Sequence, residues 1–112
     1  VQFPSDENGD VLRSMFESGM DLTAAYDIDF EHIFPDLQSA ERMCERTAPL
    51  GHHPELRELN EPDYTRQGFY YEVRVCVRIV PTHADITRLE QELGHLAESC
   101  GGQADGWGVL QD

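Results

Sequence analysis

The sequence predicts an α+β fold, a four-stranded antiparallel sheet built in the order βαββαβ with one more helix ahead of it, and two stretches carry most of that prediction. From Phe69 to Pro81 the chain alternates like a strand. Phe69, Tyr71, Val73, Val75, Val77 and Ile79 fall on one face, and Tyr70, Glu72, Arg74, Cys76 and Arg78 on the other. After Pro81, Ile86, Leu89, Leu93, Leu96, Ala97 and Cys100 recur at helical spacing, opposed by Glu90, Glu92 and Glu98. A strand with one apolar face needs partners on its edges and a layer over that face. The remaining segments are read as supplying them.

The elements follow in order. Residues 1–22 read as a helical extension: a polar turn, Pro4 to Asp10, then Val11, Leu12, Met15 and Phe16 at helical spacing, ending at Gly19. Asp6, Asn8, Asp10 and Glu17 fall where ligands of a calcium loop would, but Val11 stands where such a loop needs glycine. Acids gathered at the positive end of a helix explain them better. Tyr26 to Phe34 alternates, with Ile28, Phe30, His32 and Phe34 on one side and Asp27, Asp29, Glu31 and Ile33 on the other. Pro35-Asp36 ends that strand and caps a helix from Leu37 to Ala48 whose inward positions are Leu37, Ala40, Met43, Cys44 and Thr47. Pro49 and Gly51 stop it.

His52-His53 opens a weaker strand to about Leu59, with Leu56 inward. Adjacent histidines on a strand point to opposite faces and cannot share one metal. Asn60 to Gly68 reads as a polar hairpin loop and the most mobile segment. Thr82, with Asp85 three residues on, starts the long helix. Gly101-Gly102 ends it, and Asp105 to Leu110 forms a last strand with Trp107 and Val109 on one face, where the flanking glycines give the ring room in the core. Residues 26–112 thus form the βαββαβ core of a single domain, the ferredoxin-like arrangement, with the strands at Tyr26 and Phe69 central and parallel. Asp29, Glu31, Ile33, Glu72, Arg74, Cys76 and Arg78 are left on the open face unless the first helix covers it.

Charge limits the partners. With 22 acidic and 8 basic residues, all arginine, the formal charge is −14. Such a surface repels nucleic-acid backbones and anionic membranes and attracts basic proteins. Cys44, Cys76 and Cys100 lack metal-type spacing and read as reduced thiols of a cytosolic protein. No apolar run approaches the roughly 20 residues of a membrane helix, and no secretion signal is visible. Phosphate loops, nucleophile elbows and zinc motifs are missing, so neither enzyme activity nor a cofactor nor a metal is implied. The residues describe an acidic, non-catalytic binding module.

Phe3-Pro-Ser-Asp-Glu-Asn-Gly-Asp-Val-Leu12, Asp27-Ile-Asp-Phe-Glu-His-Ile-Phe-Pro35, Pro81-Thr-His83 and Asp105-Gly-Trp-Gly108 together resemble the regulator of ribonuclease E activity B (RraB) family over nearly the whole chain. The resemblance implies a bacterial cytosolic protein that binds ribonuclease E and inhibits RNA processing by protein contact, without a cofactor. The founding members continue into a long acidic tail, whereas this sequence ends at Asp112; if the tail takes part in binding, weaker or redirected inhibition is expected. The family supplies no motif-mapped functional residues. The expected docking surface is therefore Asp29, Glu31 and Glu72 on the open sheet face, with Asp6, Glu7 and Asp10 of the first helical turn. Two other readings use the same residues differently: a small ligand-binding protein or enzyme with a cleft near His32 and Trp107, and an immunity-type protein that neutralises a basic toxin.

Overall fold

The computed structural model describes residues 2–109. Helix α1 (Glu7–Glu17) precedes β1 (Tyr26–Phe34), α2 (Leu37–Thr47), β2 (His53–Glu58), the short α3 (Pro62–Thr65), β3 (Tyr71–Ile79), α4 (His83–Ser99) and β4 (Gln103–Val109), with a 3₁₀ turn at Ala48–Leu50. The four strands form one sheet in the order β2-β3-β1-β4. Every pairing is antiparallel. The expected α+β fold with its N-terminal helix is therefore present, and β1 and β3 are central. They are antiparallel, however, not parallel: β2 runs in the same direction as β1, and the reversal through α3 turns β3 against both.

Side-chain chemistry sets the helix starts. Asp6, Asp36 and Thr82 accept from the backbone N–H of Gly9, Ser39 and Asp85, satisfying amides that the first helical turn leaves free. Ile28, Phe30, Phe34, Val73 and Val75 of the central strands meet Ala40 and Met43 of α2 and Ile86, Leu89, Leu93 and Ala97 of α4. Burying each of the larger side chains contributes roughly 2 kcal/mol. α4 packs against β4 at Gly94, where an added Cβ would make an ordinary contact, 3.5 Å from that of Ala104.

Three expectations about packing change. Leu37 is exposed and does not join the core, which α2 reaches through Ala40, Met43 and Thr47 instead. In α1 Leu12 is buried but Phe16 is 46% exposed, while Asn8 and Gly9 are buried. The segment from Asn60 to Gly68 is not a plain hairpin loop. It carries α3, and Phe69 donates back to the Tyr64 carbonyl at 3.1 Å.

Candidate functional site

The sheet face turned away from α2 and α4 is polar, and strand register decides which groups meet there. Asp27, Asp29 and Glu31 of β1 lie opposite Arg78, Cys76 and Arg74 of β3. On the far side of β3, Arg57 lies opposite Glu72 and Glu55 opposite Arg74. Toward β4, Asp29 faces Gly108 and Glu31 faces Gly106; the register shifts between Glu31 and His32, leaving Asp105 as the extra residue of a bulge.

Ion pairs cross this face in a lattice. Arg57 donates from Nε to Glu72 Oε1 at 3.0 Å and from Nη1 to Glu61 Oε1 at 3.0 Å. Arg74 Nη2 reaches the same Glu72 oxygen at 3.5 Å, and its Nε lies 3.6 Å from Asp29. Arg78 pairs with Asp27 at 3.2 Å. Glu72 is 2% exposed and Asp29 5%, so both carboxylates sit beneath the arginines that match them. From α3, the Tyr64 hydroxyl donates to Asp105 Oδ2 at 2.6 Å. Carboxylate oxygens of Glu31, Glu72 and Asp105 all lie within 4.8 Å of one another.

This packing favours the protonated forms of several groups at the site. Burial first, then the Glu72 charge, raises the pKa of Glu31, and burial outweighs Arg74 to raise that of Asp29. The bond to Asp105 pushes the Tyr64 phenol up to about 12. Burial and the charges of Asp29 and Asp27 raise the Cys76 thiol. Neither the phenol nor the thiol is thereby activated as a nucleophile. The three carboxylates could offer oxygens to a hard cation, but Glu72 is already matched by Arg57 and Arg74, and Asp105 by Tyr64. The cluster is a hydrogen-bonded network in its own right.

The six acids expected to form one docking surface divide into two groups. Asp29, Glu31 and Glu72 share the open sheet face. Asp6, Glu7 and Asp10 lie at the start of α1, which packs beside α4: Asn8 donates from Nδ2 to Thr87 Oγ1 at 3.2 Å and to Glu90 Oε1 at 3.0 Å. The first helix therefore leaves the open face uncovered. Within the second group, Asp6 is bonded to His83 Nε2 at 2.9 Å, and its carboxyl is held below the usual range by the Gly9 amide and then by His83.

Arg57, Tyr64 and Asp105 belong to the sheet-face network and escaped the sequence reading. Tyr64 left a signal, a lone aromatic in a polar segment between Pro62 and Gly68, whereas a bulge at Asp105 leaves none. His32 lies in a filled core, 1% exposed, with Nδ1 3.2 Å from the Val73 carbonyl. Burial lowers its pKa to about 4. Trp107 is on the same side, and its Nε1 donates to Asn8 Oδ1 at 2.8 Å. These two residues do not frame an open cleft.

By class the chain is a small acidic α+β module that presents an ion-paired sheet face, on which the phenol and the thiol keep their protons. Its family can be named: residues 5–109 match the model of the family described as regulator of ribonuclease activity B, and the chain belongs to that family. This is a family of regulators. No curated protein matches the chain. Among the described residues no helix is long and apolar enough to cross a membrane.

Proposed function

We propose that this protein acts as a single domain in the cytoplasm and restrains RNA processing by binding ribonuclease E, or another RNA-processing protein with a basic segment, without catalysing a reaction itself. The observation that carries this reading is the family match over residues 5–109. The charge supports it: a formal −14 makes a basic protein segment a favoured partner and disfavours direct contact with nucleic acid or an anionic membrane. Arg13, Arg57, Arg74, Arg78 and Arg88 are all paired with acids, so these five are not free to hold an anionic partner.

Among the six proposed docking acids, Glu31 and the α1 group of Asp6, Glu7 and Asp10 are accessible to a partner. Asp29 and Glu72, both buried, support the surface from below. Reversal at Glu31 together with Asp10 should weaken binding and flatten its salt dependence. The test uses purified ribonuclease E in a binding titration at low and high salt, alongside cleavage of a structured RNA. Binding that fades with salt and slows cleavage supports the proposal. Failure to bind at low salt refutes it.

A further inference from the structure

We infer that the apolar groove between the N-terminal segment and α1 is a docking site for a short basic segment of a partner protein anchored by an aromatic or aliphatic side chain, an inference that rests on the protein-binding reading above. The groove encloses about 370 Å³. Phe3, Leu12, Phe16, Met20, Leu22 and Pro81 supply its apolar lining, and Asp21, Thr23 and His83 also border it. Phe16 is the residue that α1 leaves outside the core, and its ring sits 5.9 Å from that of Phe3, tilted by 56°. An apolar pair kept partly in water at the mouth of a concave surface is an unfilled binding contact.

The walls are fixed in advance. Gly9 carries no side chain where a Cβ would strike the Pro4 carbonyl, so the segment through Phe3 and Pro4 lies tightly against α1. Asp6 joins the start of α1 to His83 on α4 at 2.9 Å. Asn8 repeats that link through Thr87 and Glu90. A groove held this way loses little freedom when it is filled.

Charge chooses the occupant. No arginine lines the groove, Asp21 borders it, and Glu17 adjoins Phe16 in the sequence. The one arginine of α1, Arg13, is already paired with Asp10 at 3.4 Å. His83, at the groove, faces the Asp6 carboxylate. An incoming arginine or lysine therefore meets acids, and the apolar lining takes the residue beside it. A second copy of this chain is a poorer occupant, because two bodies of formal charge −14 repel.

The test uses a short synthetic peptide of Arg, Gly and Ser with a central Trp-Leu pair, and a control with Ser-Ser in its place. Binding is followed by fluorescence anisotropy and amide chemical shifts. The Trp-Leu peptide should bind about tenfold or more tightly than the control, as expected for a buried anchor. It should shift the amides of Phe16, Met20 and Thr23 and leave Glu31 and Asp105 unmoved. Phe16→Asp, at an exposed position, should abolish the preference, and Thr23→Arg should weaken both peptides.

Equal binding of the two peptides, shifts confined to the sheet face, or unchanged affinity in Phe16→Asp would each overturn the inference. So would a dimer that Phe16→Asp dissociates without a change in peptide affinity, since the groove would then belong to a second copy. Ribonuclease E is titrated against the parent and Phe16→Asp in parallel. A parent that fails to bind it sinks the functional reading while leaving a positive peptide result intact. A parent and a variant that bind it equally sink the groove alone.

Discussion

Acidification should destabilise this protein through His32, and the size of the effect follows from its burial. The imidazole is 1% exposed between the sheet and the helices, and its Nδ1 lies 3.2 Å from the Val73 carbonyl. A carbonyl can only accept, so Nδ1 carries the proton of the neutral ring. A second proton would place a charge in the core. The folded pKa is accordingly about 4, against 6.5 for an unburied histidine. Because the folded value is the lower one, the unfolded chain takes up the proton first as pH falls. Stability from this residue is intact above about pH 7, declines below 6.5 and levels off under 4. Integrating between those values gives a loss of about 2 kcal/mol at pH 5 and about 3 kcal/mol once both states are protonated. Asp29 and Glu31, whose pKa values are raised, act in the opposite sense, so the effect is isolated by difference. His32→Asn keeps a donor near the Val73 carbonyl but does not titrate. Urea unfolding of parent and variant at pH 7 and pH 5 should show the parent losing about 2 kcal/mol more than the variant. Equal losses would mean that the histidine is hydrated or charged in the folded protein, and the account of its burial would be wrong.

Asn8→Ala removes the acceptor of Trp107 Nε1 and the link to Thr87 and Glu90, and should destabilise by about 1–3 kcal/mol in urea unfolding, with a red-shifted emission from the single tryptophan. Tyr64→Phe should remove the tyrosine that ionises near pH 12 from an ultraviolet titration, while lowering stability by roughly 1 kcal/mol as its bond to Asp105 is lost. A titration unchanged by this substitution would place that bond elsewhere. Gly106 and Gly108 both have open space where a Cβ would go, but Gly106 alone of the two has a positive φ, +129°. Gly106→Ala should therefore lower stability by about 1–3 kcal/mol and Gly108→Ala by less than about 0.5 kcal/mol in thermal or urea unfolding. Equal effects would show that backbone strain is not what selects glycine at position 106.

What the sequence could reveal was set by how local the determining physics is. The alternation of β1 and β3 and the stripe of α4 each lie within a dozen or so residues, and each names the face that meets the core, although Ile33, expected on the open face of β1, is buried there at 2% exposure. The same alternation places Glu72 on the open face but says nothing of its depth. That depth depends on Arg57, which reaches it from the neighbouring strand. The direction of β3 follows from the connections and not from any residue pattern. Leu37 fits the apolar spacing of α2 yet is exposed, which the spacing alone does not reveal. The Asp105 bulge arises from a mismatch between β1 and β4 that neither segment displays alone. The glycines around Trp107 were expected to give its ring room, but added Cβ atoms there would meet nothing within 4 Å. Positive φ explains Gly106, and nothing in the structure explains Gly108.

Burial also separates two roles that net charge alone runs together. Acids of the sheet face are largely committed: Glu72 to Arg57 and Arg74, Asp29 beside Arg74, Asp27 to Arg78 and Asp105 to Tyr64. Reversing Asp29 or Glu72, the two that are buried, breaks a network within the protein before it removes anything a partner could touch, so weaker binding by such a variant would report lost structure as readily as lost contact. Around α1 the relation is reversed. The acids there are exposed even where they are paired, Asp6 with His83 and Asp10 with Arg13, and they lie near an apolar groove. Overall charge governs how often a basic partner arrives and how strongly salt slows it. Desolvated contact in the groove governs how long it stays. The two contributions are separable in a single experiment, because salt should act on the association rate while Phe16→Asp should act on the dissociation rate.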